Sequence, residues 1–463
     1  MPRPITRRRF LGQASCAAIG STALFNTLLN LRLAGTAAAQ SIGTDYKALV
    51  CLFLAGGNDS FNMLVPSGAA EYAEYAGIRR DLALPRESLL PINPLNAVGK
   101  QLGVHPAMAH VQQLFESGQL AFAANVGTLV ERITKQQYEN ETVPVPLGLY
   151  SHSDQIQQWQ TSIPDRASGL GWGGRAADLL ASLNENQRIS MNISLSGSNV
   201  WQAGNEVVEY SITPYGSIGI DGTEGTWNYN HIRGAAIDSQ LDLQYKNLFE
   251  QTFVGKTRGG METHHLFMNA INSAPTLTTP FPADSWLGEE LRMIARVISA
   301  HSLLDVRRQT FFVMYGGWDH HDEVINNQQE MLGEVSACIG AFQAAMAELG
   351  MAQNVTLFTA SDFGRTLTSN GAGSDHAWGG NHIVTGGAVA GRRIFGQYPD
   401  LFEDNPLDTG RGRLIPTTSV DEYFADLALW FGVDRSNLPL VLPNIGRFYN
   451  VTDAAPPLGM FQT

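Results

Sequence analysis

Cysteine is nearly missing, with three residues in 463, so the fold cannot rest on a disulfide framework. Cys16 lies in the N-terminal segment. Cys51 and Cys338 fall in a predicted strand and a predicted helix, where a thiol behaves as a small buried apolar group. Positive charge is scarce as well: 30 Lys and Arg stand against 43 Asp and Glu. Residues 1–39 hold five of the arginines and no acid, and without them the balance is 25 against 43, or −18. A surface of that sign repels polyanions and argues against nucleic-acid binding. Beyond Leu33 no stretch approaches the roughly 18 consecutive apolar residues of a membrane span, so none is expected there. Internal repeats are lacking. So are the G-x-x-x-x-G-K-[ST] pattern and a G-x-S-x-G elbow behind a predicted strand, which argues against a P-loop and against a serine-hydrolase triad.

What is present begins at the N-terminus. Thr6-Arg7-Arg8-Arg9-Phe10-Leu11 sets adjacent arginines ahead of Phe-Leu, an apolar Ala-rich stretch runs from Leu11 to Leu33, and Ala37-Ala38-Ala39 offers small residues to a signal peptidase. The expectation is a twin-arginine leader over 1–39, cleaved near Ala39, and a destination in the periplasm or outside the cell. That route carries folded proteins, often already loaded with a metal or cofactor.

Residues 40–463 are expected to form one α/β domain, since a chain with 44% hydrophobic residues can bury a large core. Ala48–Leu54, Leu120–Val126, Thr310–Met314 and Val355–Thr359 are short continuous apolar runs, the pattern of strands buried on both faces. Ile383–Thr385 is a weaker fifth. Amphipathic helices are expected from Trp286 to Ser302 and from Glu323 to Leu349, and Ser419 with Glu422 makes a capping box for another. Buried strands alternating with helices predict a largely parallel sheet covered on both faces. Residues 197–282 are rich in Gly, Asn, Thr and Ser and poorly periodic. They are read as a loop-rich insertion or cap, in which His264-His265 is expected to be an exposed pair.

In such sheets ligands sit beyond the carboxyl ends of the strands, and polar residues gather there. Asp59 follows the first run. Asp319, His320 and His321 follow Thr310–Met314, while Asp362 and Arg365 follow Val355–Thr359. A glycine-rich loop then carries His376 and His382. Carboxylate and imidazole together are the donor set of zinc, manganese or iron, so one or two divalent ions are expected. Taken singly, an Asp behind a strand also reads as a turn or helix cap.

These loops resemble those of a twin-arginine-exported family, domain of unknown function 1501, of the alkaline phosphatase/sulfatase-like superfamily. The residues that carry the match are Phe53–Asp59, Ser151-His152-Ser153-Asp154 with Trp159, Gly171–Arg175, Gly316–His321, Ser361–Thr366 and Asp375–Gly380. The resemblance implies an alkaline-phosphatase-like fold and metal-dependent hydrolysis of a phosphate or sulfate ester. Asp59, Asp319 with His321, Asp362 and then His376 or His382 would be metal ligands, with His320 or His382 available to compensate for a lost one. Ser151 would be the nucleophile beside His152, and Arg365 would bind the anionic group. Ser151 reads equally as the cap of a helix beginning near Asp154. Three departures stand out: Phe363 occupies the place of a ligand histidine, Asp319 and His321 are two residues apart where the phosphatases use four, and no cysteine has a sulfatase context. The alternative function is therefore a non-catalytic exported protein that keeps the fold, holds one ion or none, and binds a protein partner instead of a small anionic ester.

Overall fold

The structure is a computed structural model that describes residues 46–225 and 227–462; the leader expected at 1–39 lies outside them. Ten strands form one sheet: β1 (Lys47–Leu54), β2 (Leu120–Gly127), β3 (Asn192–Ser194), β4 (Tyr210–Thr213), β5 (Gly216–Ser217), β6 (Arg308–Tyr315), β7 (Val355–Ser361), β8 (Gly380–Thr385), β9 (Ile394–Phe395) and β10 (Thr418–Ser419). Their order is β9-β2-β8-β7-β1-β6-β3-β4-β5, with β10 also on β2. β1 lies between parallel neighbours, Cys51 standing opposite Phe358 on β7 and Phe312 on β6. Seven of its eight residues are buried, which explains why the sequence there is apolar without alternation. All five apolar runs are strands.

Seven helices matter here: α1 (His152–Thr161), α2 (Trp172–Leu180), α3 (Asn230–Leu241), α4 (Leu248–Ser273), α5 (Trp286–Ser299), α6 (Val324–Glu348) and α7 (Val420–Phe431). Alternate residues of β1 face opposite sides. Val50 and Leu52 pack with Leu291, Ile294, Val335 and Phe342 of α5 and α6, whereas Leu49, Cys51 and Phe53 pack with Trp172, Tyr423 and Phe424 of α2 and α7. The sheet is thus covered on both faces, and both Cys51 and Cys338 are free and buried. The capping box that opens α7 is present, with both reciprocal bonds of Ser419 and Glu422 made. No helix among the described residues is long and apolar enough to cross a membrane.

One strand positions the site. β8 runs antiparallel to β7 and to β2, so the connection 362–379 starts and ends at the same edge of the sheet. The segments after β1, β2, β6 and β7 reach that edge too, and the polar residues they carry come together there.

Residues 197–282 follow β3, add β4 and β5 at the end of the sheet order, and then carry helices α3 and α4 among loops. Only Leu241 of α3 is buried, and only His264, Phe267, Ala270 and Ile271 of the 26-residue α4. So little apolar periodicity left no helical signal to read. The expectation of an exposed His264 is corrected: packed beneath the loop that follows β5, it is 9% exposed.

Candidate metal centre

Three histidines and one aspartate converge beyond the strand ends. His152 opens α1, His376 comes from the β7–β8 connection, and Asp319 and His321 follow β6. His376 Nε2 lies 3.1 Å from His152 Nε2 and 2.9 Å from His321 Nε2. Asp319 Oδ1 is 3.4 Å from His152 Nε2, 3.1 Å from His321 Nε2 and 3.4 Å from His376 Nε2. The ligand atoms of His152, Asp319 and His376 all lie within 4.8 Å of one another. Around an ion with bonds of about 2.0–2.1 Å, tetrahedral ligands stand about 3.3 Å apart. The separations among His152, Asp319 and His376 bracket that value, and His321 Nε2 stands beside Asp319 and His376 at the margin of this group.

The far nitrogen of each ring explains why these atoms face inward. His152 Nδ1 is 2.6 Å from Asp362 Oδ2, His376 Nδ1 donates to the Tyr150 carbonyl at 2.8 Å, and His321 Nδ1 is 3.1 Å from Asp375 Oδ1. An acceptor at Nδ1 holds the proton there and leaves Nε2 with a bare lone pair, the arrangement found behind metal-bound histidines. Three such lone pairs and a carboxylate oxygen at contact distance repel one another unless a cation lies among them. The donor set and its backing therefore fit a divalent ion among His152, Asp319 and His376, with His321 beside them as a further donor.

Electrostatics agree. Burial works against the Asp319 carboxylate, but the neighbouring Arg365 guanidinium outweighs it and holds the pKa below the ordinary range. Burial also opposes ionisation of Asp375, yet its bonds from Asn370, Arg411 and His321 bring it down to about 2. Burial pushes Asp362 up against the Gly56 amide and His152, which favour its charged form. Burial lowers His376 against the pull of the Tyr150 carbonyl.

Several residues stand elsewhere than the sequence suggested. Asp59 is fully buried and paired with Arg79 at 2.7 Å, and Ser374 donates to the same oxygen; the carboxylate braces loops and is not in the cluster. Asp362 acts behind His152, since its Oδ1 accepts the Gly56 amide and its Oδ2 meets the ring. His382 is a core residue of β8, 4.6 Å from the Trp159 ring, with burial lowering its pKa to about 3. His320 is buried against Trp318, its Nδ1 without a hydrogen-bond partner. Arg365 is wholly buried and donates to the carbonyls of Gly56, Gly57 and Ser374 and to Asp319. With its donors so engaged it positions Asp319 and cannot grip an anionic substrate. Ser151 gives its hydroxyl to Asp154 at 2.6 Å. Conversely His152, expected beside a nucleophile, belongs to the ligand cluster.

Phe363 gains a role. Its ring lies 4.8 Å from that of His152 and 4.7 Å from that of His376, forming an apolar wall for both. Sequence reasoning missed Arg411 and Arg413. Arg411 bonds Asp375, and Arg413 donates to the His376 carbonyl at 2.9 Å and lies over the Tyr150 ring. Both come from a tight turn in which Asp408 accepts the amides of Gly410 and Gly412. The alternation Gly-Arg-Gly-Arg behind an Asp was the available signal.

No curated protein matches the sequence. Among solved structures the chain is similar to Ps i-CgsB in complex with k-i-k-neocarrahexaose, at 9% identity and a TM-score of 0.33, over 86% of this chain and 74% of that one. It is similar to the alkaline phosphatase of the Antarctic bacterium TAB5 at 10% identity and 0.27, over 77% and 96%. Against BT1596, a 2-O GAG sulfatase, the values are 9% and 0.28, over 89% and 72%. These likenesses are loose. The family model described as "Protein of unknown function (DUF1501)" matches residues 46–453, and the chain belongs to that family.

Proposed function

We propose that the protein is an exported hydrolase of a phosphate or sulfate ester that works with one divalent ion held by His152, Asp319, His321 and His376. The observation that carries this reading is the convergence of three Nε2 atoms on Asp319 Oδ1, each ring backed by its own acceptor at Nδ1. A zinc, manganese or iron ion there would supply Lewis-acid charge to an ester oxygen and lower the pKa of a water. The protein's own groups do the rest. Asp362, Asp375 and the Tyr150 carbonyl fix the histidine tautomers, and Arg365 holds Asp319 in its ionised form. Arg411 is exposed and Arg413 half-buried, and each keeps guanidinium N–H groups beyond those given to Asp375 and the His376 carbonyl. They are the residues placed to meet the charged oxygens of an anionic ester. Phe363 fills the place of a second ion's ligand, so the centre is read as mononuclear.

The second reading, a non-catalytic exported binding protein, is favoured by one observation: Ser151 and Arg365, the nucleophile and anion binder that the resemblance implied, are both committed to other partners. Turnover of aryl phosphates and aryl sulfates by protein loaded with zinc, manganese or iron decides between the two. The hydrolase reading expects turnover that His376→Ala abolishes and that Arg411→Ala with Arg413→Ala reduces at least tenfold. No turnover by wild type that retains the ion at His376 selects the binding protein.

A further inference from the structure

A second group of ligand atoms lies far along the chain from the first, within residues 197–282. His264 Nε2 is 3.2 Å from Glu224 Oε1, and His265 Nδ1 is 3.5 Å from the same oxygen. One ligand atom from each of Glu224, His264 and His265 lies within 4.8 Å of the other two. His264 Nδ1 is 2.9 Å from Ser217 Oγ, which orients the ring and leaves Nε2 facing the carboxylate. The group borders a cavity of about 320 Å³ whose wall also carries His231 and Asp238 from α3.

The backbone around it is built to close. A Cβ on Gly219 would lie 2.8 Å from His264 Nε2, and one on Gly234 would lie 2.6 Å from the Thr223 carbonyl oxygen. Glycine at these two points lets the 219–224 loop settle between α3 and α4. Asn230 donates to the Glu224 carbonyl and Arg258 of α4 reaches the Leu241 carbonyl and Asp242, but few side chains are buried there. α3 buries one residue and α4 buries four, and α4 carries Gly255, Gly259 and Gly260, each costing a helix interior about 1 kcal/mol relative to alanine. The C-terminal half of α4 joins the main core through Phe267, Ala270 and Ile271, but α3 and the 219–224 loop bury little apolar surface of their own, so a metal there would add a fastening that packing does not supply.

We propose that Glu224, His264 and His265 bind a divalent transition-metal ion of the zinc class, fastening the 219–224 loop to α4, with His231 and Asp238 at hand in the adjoining cavity. Two imidazoles and a carboxylate select zinc or a neighbouring metal over calcium or magnesium. The proposal stands apart from the main centre and from any activity there.

Zinc per chain, measured by elemental analysis after dialysis, tests it in wild type, in the double variant His264→Ala with His265→Ala, and in His376→Ala. The double variant should hold one ion fewer than wild type, and His376→Ala should retain the ion in 197–282. Hydrogen exchange of wild type covers the case in which the double variant fails to fold. Added zinc should slow exchange at residues 217–224 and 260–268 at least tenfold relative to chelator-treated protein. Equal zinc in wild type and a folded double variant, or exchange in those segments indifferent to zinc, overturns the proposal. A folded His376→Ala variant that holds no zinc at all leaves no ion to assign to 197–282, which also overturns it.

Discussion

At the scale of the residue, the site depends on what stands behind each ligand. Asp362 illustrates this. The sequence marks it as a metal ligand because it is an Asp behind a buried strand, but its oxygens face the Gly56 amide and His152 Nδ1. In Asp362→Asn the amide oxygen can keep the Gly56 bond, which turns the NH2 toward His152. That favours the tautomer with its proton on Nε2, the wrong one for binding an ion. Zinc affinity, measured by competition with a chromophoric chelator, is expected to fall about 10–100-fold while the circular dichroism spectrum is unchanged. Residue chemistry and approximate place were legible in the sequence for Asp319, His321 and His376. The functions of Asp59, Asp362, Arg365 and His382 were not, because which partner a buried polar group finds depends on segments hundreds of residues away, such as Ser374 for Asp59 and Gly56 for Asp362.

At the scale of the element, the turn after β1 fixes how closely loops approach. Gly56 has φ of +120°, a conformation that L side chains rarely adopt. A Cβ there would lie 2.5 Å from the Asp319 amide nitrogen and 2.8 Å from the Trp318 carbonyl carbon. Both contacts are backbone atoms, which cannot step aside as a flexible side chain does. Gly56→Ala should therefore push the 318–321 segment away from His152, on top of about 1 kcal/mol or more of local strain. The expected result is a lower Tm together with loss of zinc at the main centre; a variant that melts and binds zinc as wild type does would contradict the argument. The strands themselves were legible because burial on both faces demands continuous apolar sequence. The helices of 197–282 were not, since an exposed helix writes no such pattern.

At the scale of the whole molecule, burial sets a pH dependence away from the site. Glu290 on α5 is 4% exposed, and burial raises its pKa to about 7 although Trp286 Nε1 donates to it. An acid with a raised folded-state pKa is accommodated in its neutral form. Its cost is absent below the unfolded-state value of about 4.3, grows as pH rises, and is complete above about 7. Glu290→Gln should raise Tm at pH 8 and leave it nearly unchanged near pH 4, as read by calorimetry at both values. The twin-arginine leader expected from the sequence supports a different test: if residues 1–39 direct export, Arg7→Lys with Arg8→Lys should hold the chain in the cytoplasm, seen by fractionation and immunoblotting. Undiminished export of that double variant would remove the twin-arginine reading.

By itself the sequence determined the sheet-forming runs, the order of polar loops behind them, the acidic balance and the kinds of ligand available. These follow from local pattern, since a buried strand must be apolar and a metal ligand must be one of few residue types. Only the tertiary structure decided that β8 reverses between β7 and β2. That reversal returns the 362–379 connection to one edge and sets His376 beside His152 and Asp319. It also decided that Arg365 lies buried while Arg411 and Arg413 flank the centre. Such choices are made by packing between distant segments, where hydrogen-bond partners and the space left for a Cβ select one arrangement from many that the same local patterns allow.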